Sequence, residues 1–153
     1  MALLDLTRDD DRHVSDRLAA EPVIWLGTVS PDGRPHHVPV WFAWQDPALL
    51  IFSRPKTAKV RNLRQSAAVS LALDSAASGQ DVVLAEGRAE LITHAGAHPH
   101  FLGEHFRQKY AAALGDQPFE EWRAQFSQPV LVHVQRIIAW RRTPDGMAYR
   151  TRP

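Results

Sequence analysis

The sequence predicts a mainly β protein in which one antiparallel sheet curls into a small barrel. Three observations support this. Apolar residues alternate with a period of two through much of the chain, turns rich in glycine and proline separate these stretches, and helical patterns do not alternate with strands as parallel βαβ units require. Six twisted strands of this length tend to curl. With 153 residues, 44% of them hydrophobic, we expect a single domain spanning residues 1–153.

The elements are predicted in a simple order. Residues 7–20 form an amphipathic helix with an acidic first turn. The stretches VIWLGTVS and RPHHVPVWFAW form a β-hairpin around the PDG turn at 31–33, and even-numbered residues of its second strand face the core. Gly87 marks a bulge or a close backbone approach. Four more strands are predicted at 49–53, 67–74, 81–93 and 129–142, with a short helix after Pro55 and helices at 97–113 and 118–126.

Composition and charge narrow the possible functions. A net charge of +1 and a pI near 8.3 argue against a polycation that coats nucleic acid, so an anion site must be local. The absence of cysteine excludes disulfides, thiolate catalysis and cysteine zinc sites, and it fits the reducing cytosol. No apolar run approaches the roughly 18 residues of a membrane span, and the first residues are acidic where a signal peptide is basic. We expect a cytoplasmic protein without nucleic-acid or membrane partners.

One basic segment stands out. Residues 53–66, SRPKTAKVRNLRQS, carry five cations, and no acidic residue lies between Asp46 and Asp74. A solvated helix face is one interpretation. The other is a phosphate pocket, because the cations begin where a strand passes into a helix, and backbone N–H groups there can converge on an anion with nearby hydroxyl and ammonium groups. The candidate residues are Ser53, Arg54, Lys56, Thr57 and Lys59.

The second strand offers a surface next to this segment. Pro39 removes a backbone donor and Trp41 presents a large flat side chain on the face opposite the core, so a planar ring could lie against the strand. A dimer interface covered by the same two residues is equally compatible with the sequence.

Other chemistries have weaker signals. The histidine-rich stretch HAGAHPHFLGEHF places its histidines on different helix faces, so we expect no metal site. The sequence contains no GxSxG motif and no pair of carboxylates whose spacing would place them in a shared cleft, so it gives no support for a hydrolase. Hydride transfer needs none of these groups, because the cofactor performs the chemistry.

Three stretches carry a family resemblance. VIWLGTVSPDGRPHHVPVWFAW, LLIFSRPKTAKVRNLRQSAAVSLAL and VVLAEGRAELI resemble the pyridoxamine-phosphate-oxidase-like split-barrel superfamily, and within it the branch that uses the deazaflavin F420. The element KVRNLR after a strand is the most specific part. The resemblance implies a six-stranded antiparallel split β-barrel, an obligate homodimer, and a flavin-type cofactor at the dimer interface.

The same resemblance implies roles for individual residues. Lys59 corresponds to the phosphate-binding lysine of the family, Thr57 to a residue that assists it, and Asn62 lies in the same turn. Gln80 corresponds to a residue lining the substrate side. Second-strand residues face the cofactor ring: Val38, Pro39 and Val40.

One departure affects the predicted activity. The true oxidases carry a phosphate-gripping arginine on the second strand, where this sequence has Val38, which argues against pyridoxamine phosphate oxidation and tight FMN binding. The predicted function is F420-dependent reduction of a small unsaturated substrate, with a proton supplied by water or His37. The alternative is an FMN-binding split-barrel protein, either a flavin oxidoreductase or a non-catalytic carrier. A nucleic-acid module is disfavoured by the near-neutral charge.

Overall fold

The structure is a computed structural model and describes residues 1–94 and 98–150. A short 3₁₀ turn, Ala77–Gly79, precedes the strand that begins at Asp81. The helices and strands are α1 (Asp9–Ala20), β1 (Ile24–Val29), β2 (Pro35–Val40), β3 (Ala43–Gln45), β4 (Ala48–Ser53), α2 (Ala58–Gln65), β5 (Ala68–Leu73), β6 (Asp81–Leu91), α3 (His100–Leu114), α4 (Phe119–Gln125), β7 (Gln128–Thr143) and β8 (Gly146–Arg150).

All strands belong to one antiparallel sheet. Its order is β2-β1-β5-β6-β7-β4-β3, and β8 pairs with the far end of β7. The predicted hairpin is confirmed: β1 and β2 pair around the turn that contains Gly33, whose φ of 84° suits a residue without a side chain. The sheet curls into a half-barrel, so the mainly β, barrel-like fold class holds.

The concave face of the sheet holds the main core. Alternate residues of every long strand point inward, as the period of two predicts, and α1 and α2 add Leu18 and Leu63 to the same cluster. The even-numbered residues predicted to face the core do so at the end of the second predicted strand, where Val40, Phe42 and Trp44 are buried.

The convex face is covered along only part of its width. Helices α3 and α4 pack over β4 and β7, where Phe52 and Leu131 contact Phe106 and Trp122 in a second apolar cluster. The convex face of β1 is left open, with Trp25 38% exposed and Val29 42% exposed. The uncovered part is therefore the half of the sheet that contains β2, β1 and β5.

The prediction of six strands is wrong, because the described part of the chain contains eight. The second predicted strand breaks at Trp41 and Phe42 into β2 and β3. At the break, the N–H of Phe42 leaves the ladder and donates to the hydroxyl group of Tyr110 at 2.9 Å. The last predicted strand also continues beyond residue 142, and it turns back as β8 through a second PDG sequence at 144–146.

The acidic first turn of α1 fastens the helix to the sheet. Asp11 pairs with Arg150 at 2.5 Å, and both residues are at least nine-tenths buried. Asp10 pairs with Arg141 at 2.9 Å. These carboxylates therefore bind arginines of β7 and β8, in addition to any favourable interaction with the helix dipole.

Gly87 meets both expectations for it. The register of β6 and β7 shifts between Glu86 and Gly87, which is the predicted bulge. A Cβ atom at Gly87 would lie 2.4 Å from the carbonyl oxygen of His133, so the two backbones also approach closely. Among the described residues, no helix is long and apolar enough to cross a membrane.

Candidate functional site

The basic segment forms a tight passage from β4 into α2. Ser53, the last residue of β4, is 1% exposed, and its hydroxyl donates to the carbonyl of Arg54 at 2.9 Å. The hydroxyl oxygens of Ser53 and Thr57 lie 3.4 Å apart. Ser53 therefore stabilises the turn from beneath, whereas the half-buried Thr57 lies nearer the surface where a ligand could approach.

The start of α2 leaves backbone donors free. Thr57 occupies the N-cap position in an extended conformation, and its side chain caps no N–H group of the helix. The first turn contains no acidic residue. The N–H groups of the first helical turn have no partner within a helix, so they point at the space before Thr57 with the positive end of the helix dipole. Such a helix start binds phosphate well.

Lys59 lies in this first turn and is half-buried. At 100° per residue, its side chain falls between Asn62 and Leu63, on the arc of α2 that faces the protein. Burial lowers the pKa of Lys59, and no carboxylate within the described residues offsets it. The amine is thus partly desolvated without an anionic partner, which is the environment expected of a lysine that binds an anion from outside the chain.

Asn62 holds α2 against the sheet. It is 6% exposed, and its Nδ2 donates to the hydroxyl oxygen of Thr28 on β1 at 3.0 Å. Thr28 pairs with His36 of β2, so this bond fixes the position of α2 relative to the edge strand. Thr57 and Lys59 therefore lie at the start of a helix that Asn62 anchors from its buried side, and we call these three residues with the first turn of α2 the α2 cradle.

The two other predicted cations lie outside the α2 cradle. Arg54 turns towards α4, with its guanidinium 5.1 Å from the centre of the Phe126 ring and 3.4 Å from the side-chain oxygen of Gln125. Lys56 is exposed, without an ion pair in the described part of the chain. Direct contact of Arg54 with a ligand in the cradle would require its side chain to leave Phe126.

A groove runs along the outer flank of α2, between that helix and the β1–β2 turn. Its volume is about 660 Å³, and it is lined by Arg61 and Arg64 of α2, with Arg34 and His36 opposite. His36 Nδ1 is buried and has no hydrogen-bond partner among the described residues. We call this the α2 groove.

The α2 groove was not predicted as a site. Helical spacing alone places Ala58, Arg61 and Gln65 on one face, so the arginines were visible in the sequence. Their proximity to Arg34 and His36 depends on the hairpin folding back over α2, which no local pattern encodes.

The three residues predicted on the second strand face different ways. Val40 is buried in the main core, and Val38 packs against the same core. Pro39 is exposed on the convex face. Since β2 is the edge strand at one end of the sheet, its outer backbone groups remain available to a ring lying alongside it. Backbone atoms of this strand and Pro39 could therefore meet a ligand, whereas the two valine side chains support the strand from within.

Trp41 is not available as a platform for a ligand, contrary to prediction. Its ring stacks on Tyr110 with centroids 4.3 Å apart, and it lies 5.5 Å from Trp122. Helices α3 and α4 therefore occupy the surface that the sequence left open to a cofactor or to a dimer partner. The strand break after Val40 separates Trp41 from the exposed face of β2.

Gln80 lies far from the α2 cradle within one chain. Its side-chain oxygen accepts a hydrogen bond from Arg142 at 2.6 Å, and its carbonyl accepts the N–H of Arg142 at 2.8 Å. Ser53 pairs with Gln128, at the opposite end of the same strand. A role for Gln80 beside the cradle remains a prediction that requires a second subunit.

The histidine-rich stretch is dispersed. His98 packs edge-on against Phe52, with ring centroids 5.3 Å apart, and burial, followed by the charges of Arg123 and His100, lowers its pKa. His105 contacts Phe101 instead. Within residues 1–94 and 98–150, no three metal-binding side chains come together.

A known protein family matches most of the chain. The family profile described as pyridoxamine 5'-phosphate oxidase matches residues 11–140, most of the chain and all of the α2 cradle. The chain belongs to this family. No curated protein sequence matches it.

Several solved structures share this fold over most of the chain. A conserved hypothetical protein of Mycobacterium tuberculosis is 24% identical, with a TM-score of 0.69 over 85% of this chain and 83% of that one. A FAD-binding protein of Mesorhizobium loti is 22% identical, with a TM-score of 0.63 over 82% and 88%. The heme storage protein of Vibrio cholerae is 15% identical, with a TM-score of 0.57 over 81% and 87%. At these identities the likeness shows the fold alone.

Proposed function

We propose that the protein is an oxidoreductase that uses a deazaflavin of the F420 type to reduce a small unsaturated organic substrate. The observation that carries this proposal is the half-buried Lys59, which has no anionic partner among the described residues and lies beside the uncapped start of α2. Phosphate is the anion that this combination of ammonium, hydroxyl and backbone N–H groups suits best. The FAD-binding relative supports a flavin-type cofactor.

The residues around the α2 cradle fit such a cofactor. Lys59, Thr57 and the first N–H groups of α2 would hold the phosphate, and Asn62 would keep the helix in register with β2. When bound, a reduced deazaflavin supplies a hydride. The protein then has to position the ring along the edge of β2, exclude water and deliver a proton.

His37 is the candidate proton donor from this chain, with water as the alternative. It is exposed on the convex face of β2, next to Pro39. A Cβ atom on Gly27 would lie 2.6 Å from His37 Nε2 and 2.2 Å from the hydroxyl oxygen of Ser70. The imidazole therefore extends across β1 through space that only a glycine leaves open.

The α2 groove favours F420 over FMN. F420 carries an acidic tail beyond its phosphate, and FMN ends at the phosphate. Arg61 and Arg64 form no ion pair within the described residues and line a groove that starts on the same helix as the α2 cradle. An acidic tail leaving the cradle along α2 would meet these guanidinium groups.

A second copy of the chain completes the proposed site. The uncovered convex face presents an apolar row that crosses four strands in register, with Trp25 beside Pro39 and Ala72, and Leu84 next to Ala72. An apolar face of this kind suits a self-complementary dimer contact. Light scattering at micromolar concentration tests it: a mass near 34 kDa, about twice the 17.2 kDa chain, is expected.

The alternative is an FMN-binding protein, either a flavin oxidoreductase or a carrier without turnover. The FAD-binding relative and the α2 cradle support it equally well, because neither requires an acidic tail. The absence of a second-strand arginine at Val38 disfavours it, since one phosphate contact would be missing.

Titration separates the two proposals. The protein is mixed with F420 and with FMN, and binding is followed by cofactor fluorescence; micromolar affinity for F420 is expected. The double variant Arg61→Gln, Arg64→Gln should weaken F420 binding about tenfold at low salt and leave FMN binding unchanged. Arg107→Gln, an exposed arginine on α3, is the matched control. Failure of both cofactors to bind the unaltered protein would refute the proposed function.

A further inference from the structure

Lys109, on α3, lines a second pocket, which none of the α2 cradle residues lines. The pocket has a volume of about 290 Å³ and lies between α1, α3 and β3. Its walls combine apolar side chains with an imidazole and an amide: Ala19, Ala43, Trp44, His105 and Gln108. Lys109 is one of only three lysines in the chain, with Lys56 and Lys59.

The amine of Lys109 is held in apolar surroundings. Its Nζ lies 3.7 Å from the centre of the Phe42 ring and 5.6 Å from that of Tyr110. The nearest polar contact is the carbonyl oxygen of Leu18, at 3.5 Å, which is a weak hydrogen bond. In the part of the chain that the structure describes, no carboxylate lies within ion-pair distance of this nitrogen.

These surroundings disfavour the charged form. Burial lowers the pKa of Lys109 to about 8, although the charge of Glu21 at the end of α1 opposes the change. The face of the Phe42 ring stabilises the charged amine, so it offsets part of the effect of burial. At pH 7 about a tenth of the amine is neutral for a pKa near 8, a far larger share than for an ordinary lysine.

We propose that the pocket binds small apolar aldehydes and that Lys109 captures them as an imine. The neutral amine attacks the carbonyl carbon, a C–N bond forms, and the carbonyl oxygen leaves as water with the two protons lost by the amine. No oxidant or reductant is required. Desolvated lysines in apolar pockets are suited to this chemistry.

His105 is placed to assist the loss of water. It lies one turn before Lys109 on α3, on the same helix face, and it lines the same pocket. Dehydration of the intermediate carbinolamine needs a proton donor, and an imidazole can provide one near neutral pH. The ring of His105 also contacts that of Phe101, with centroids 5.1 Å apart.

The test is reductive trapping on the full-length protein. Isobutyraldehyde is added with cyanoborohydride at pH 8, and the modified residues are located by peptide mass mapping. We expect Lys109 to be alkylated at least tenfold faster than Lys56, at a rate that saturates with aldehyde concentration. The exposed Lys56 serves as the internal reference, since its reaction should rise linearly with aldehyde concentration.

Two variants make the outcome decisive. Ala19→Phe fills the pocket from α1 and should abolish saturation at Lys109, while Lys109→Met should remove the fast site altogether. Reaction at Lys109 that is slower than at Lys56, or that is linear in aldehyde and unaffected by Ala19→Phe, would overturn the proposal.

Discussion

The side-chain amide of Asn62 donates a hydrogen bond to the hydroxyl oxygen of Thr28 at 3.0 Å, and both residues are buried. This bond joins α2 to β1 at the level where β1 pairs with the edge strand β2. The part of α2 that carries Lys59 is therefore positioned by a polar contact inside the protein. Stability and ligand binding should be coupled through it.

Asn62→Ala should lower the free energy of unfolding by about 1–3 kcal/mol, because the Thr28 hydroxyl loses its buried partner. Cofactor affinity should fall in the same variant as the position of α2 loosens. Thr28→Ser, which keeps the hydroxyl group, is the control for both measurements. Urea unfolding and fluorescence titration provide the readouts, and unchanged stability in Asn62→Ala would show that the bond contributes nothing.

Tyr110→Phe should destabilise the protein by about 1–3 kcal/mol. The Tyr110 hydroxyl accepts the N–H of Phe42 and lies 2.7 Å from the carbonyl oxygen of Pro22, to which it donates, so its loss leaves a buried donor and an acceptor unpaired. The chain has one other tyrosine, Tyr149, which is 69% exposed. Tyr149→Phe should be neutral in thermal unfolding, and equal effects of the two substitutions would contradict this explanation of the strand break.

Arg150→Met should be among the most damaging single substitutions, at about 3–5 kcal/mol, because it removes the ion-pair partner of the buried Asp11 carboxylate, which then keeps, among the described residues, only the backbone N–H of Asp5. Arg150 also donates to the carbonyl oxygens of Ile137 and Leu3. The control is Arg107→Met, whose exposed pair with Glu104 spans 4.0 Å. A midpoint of urea unfolding for Arg150→Met close to that of the control would contradict the role of this pair.

Stability should rise with pH between about 8 and 10, in part through Lys109. Burial lowers the pKa of Lys109 to about 8 in the folded protein, from 10.5 in the unfolded chain. Between these two values the unfolded chain binds more protons than the folded protein does, so raising the pH favours the folded state. Tyr110, with its pKa raised to about 12, acts in the opposite direction above pH 10. Lys109→Met should flatten the rise measured by urea unfolding at pH 7 to 10. Parallel curves for the two proteins would exclude this linkage.

Local patterns predicted the hairpin, the bulge at Gly87 and the helix after β4, because each depends on residues close in sequence. The same kind of signal was available for β8, since PDG occurs at 144–146 as it does at 31–33. By contrast, the break between β2 and β3 depends on Tyr110, nearly 70 residues away. Long-range contacts of this kind have no local signature.

The candidate site could likewise be predicted only in part. Spacing and charge pointed to Thr57 and Lys59, and the family resemblance implied Asn62; all three lie at or within the first two turns of α2. The same reasoning could not foresee that Trp41 would be covered by α3 and α4, or that Arg54 would turn to Phe126. It also missed the α2 groove, because His36 and Arg61 approach only when the hairpin packs beside α2.

Titration of Lys59→Met with F420 and with FMN is the decisive measurement. Loss of a charged hydrogen bond to phosphate costs about 1.5–3 kcal/mol, so the dissociation constant should rise by about 10- to 100-fold for whichever cofactor binds. Lys109→Met, which removes another partly buried lysine outside the α2 cradle, should bind as the unaltered protein does. If Lys59→Met binds the cofactor as tightly as the unaltered protein, the start of α2 is not the phosphate site.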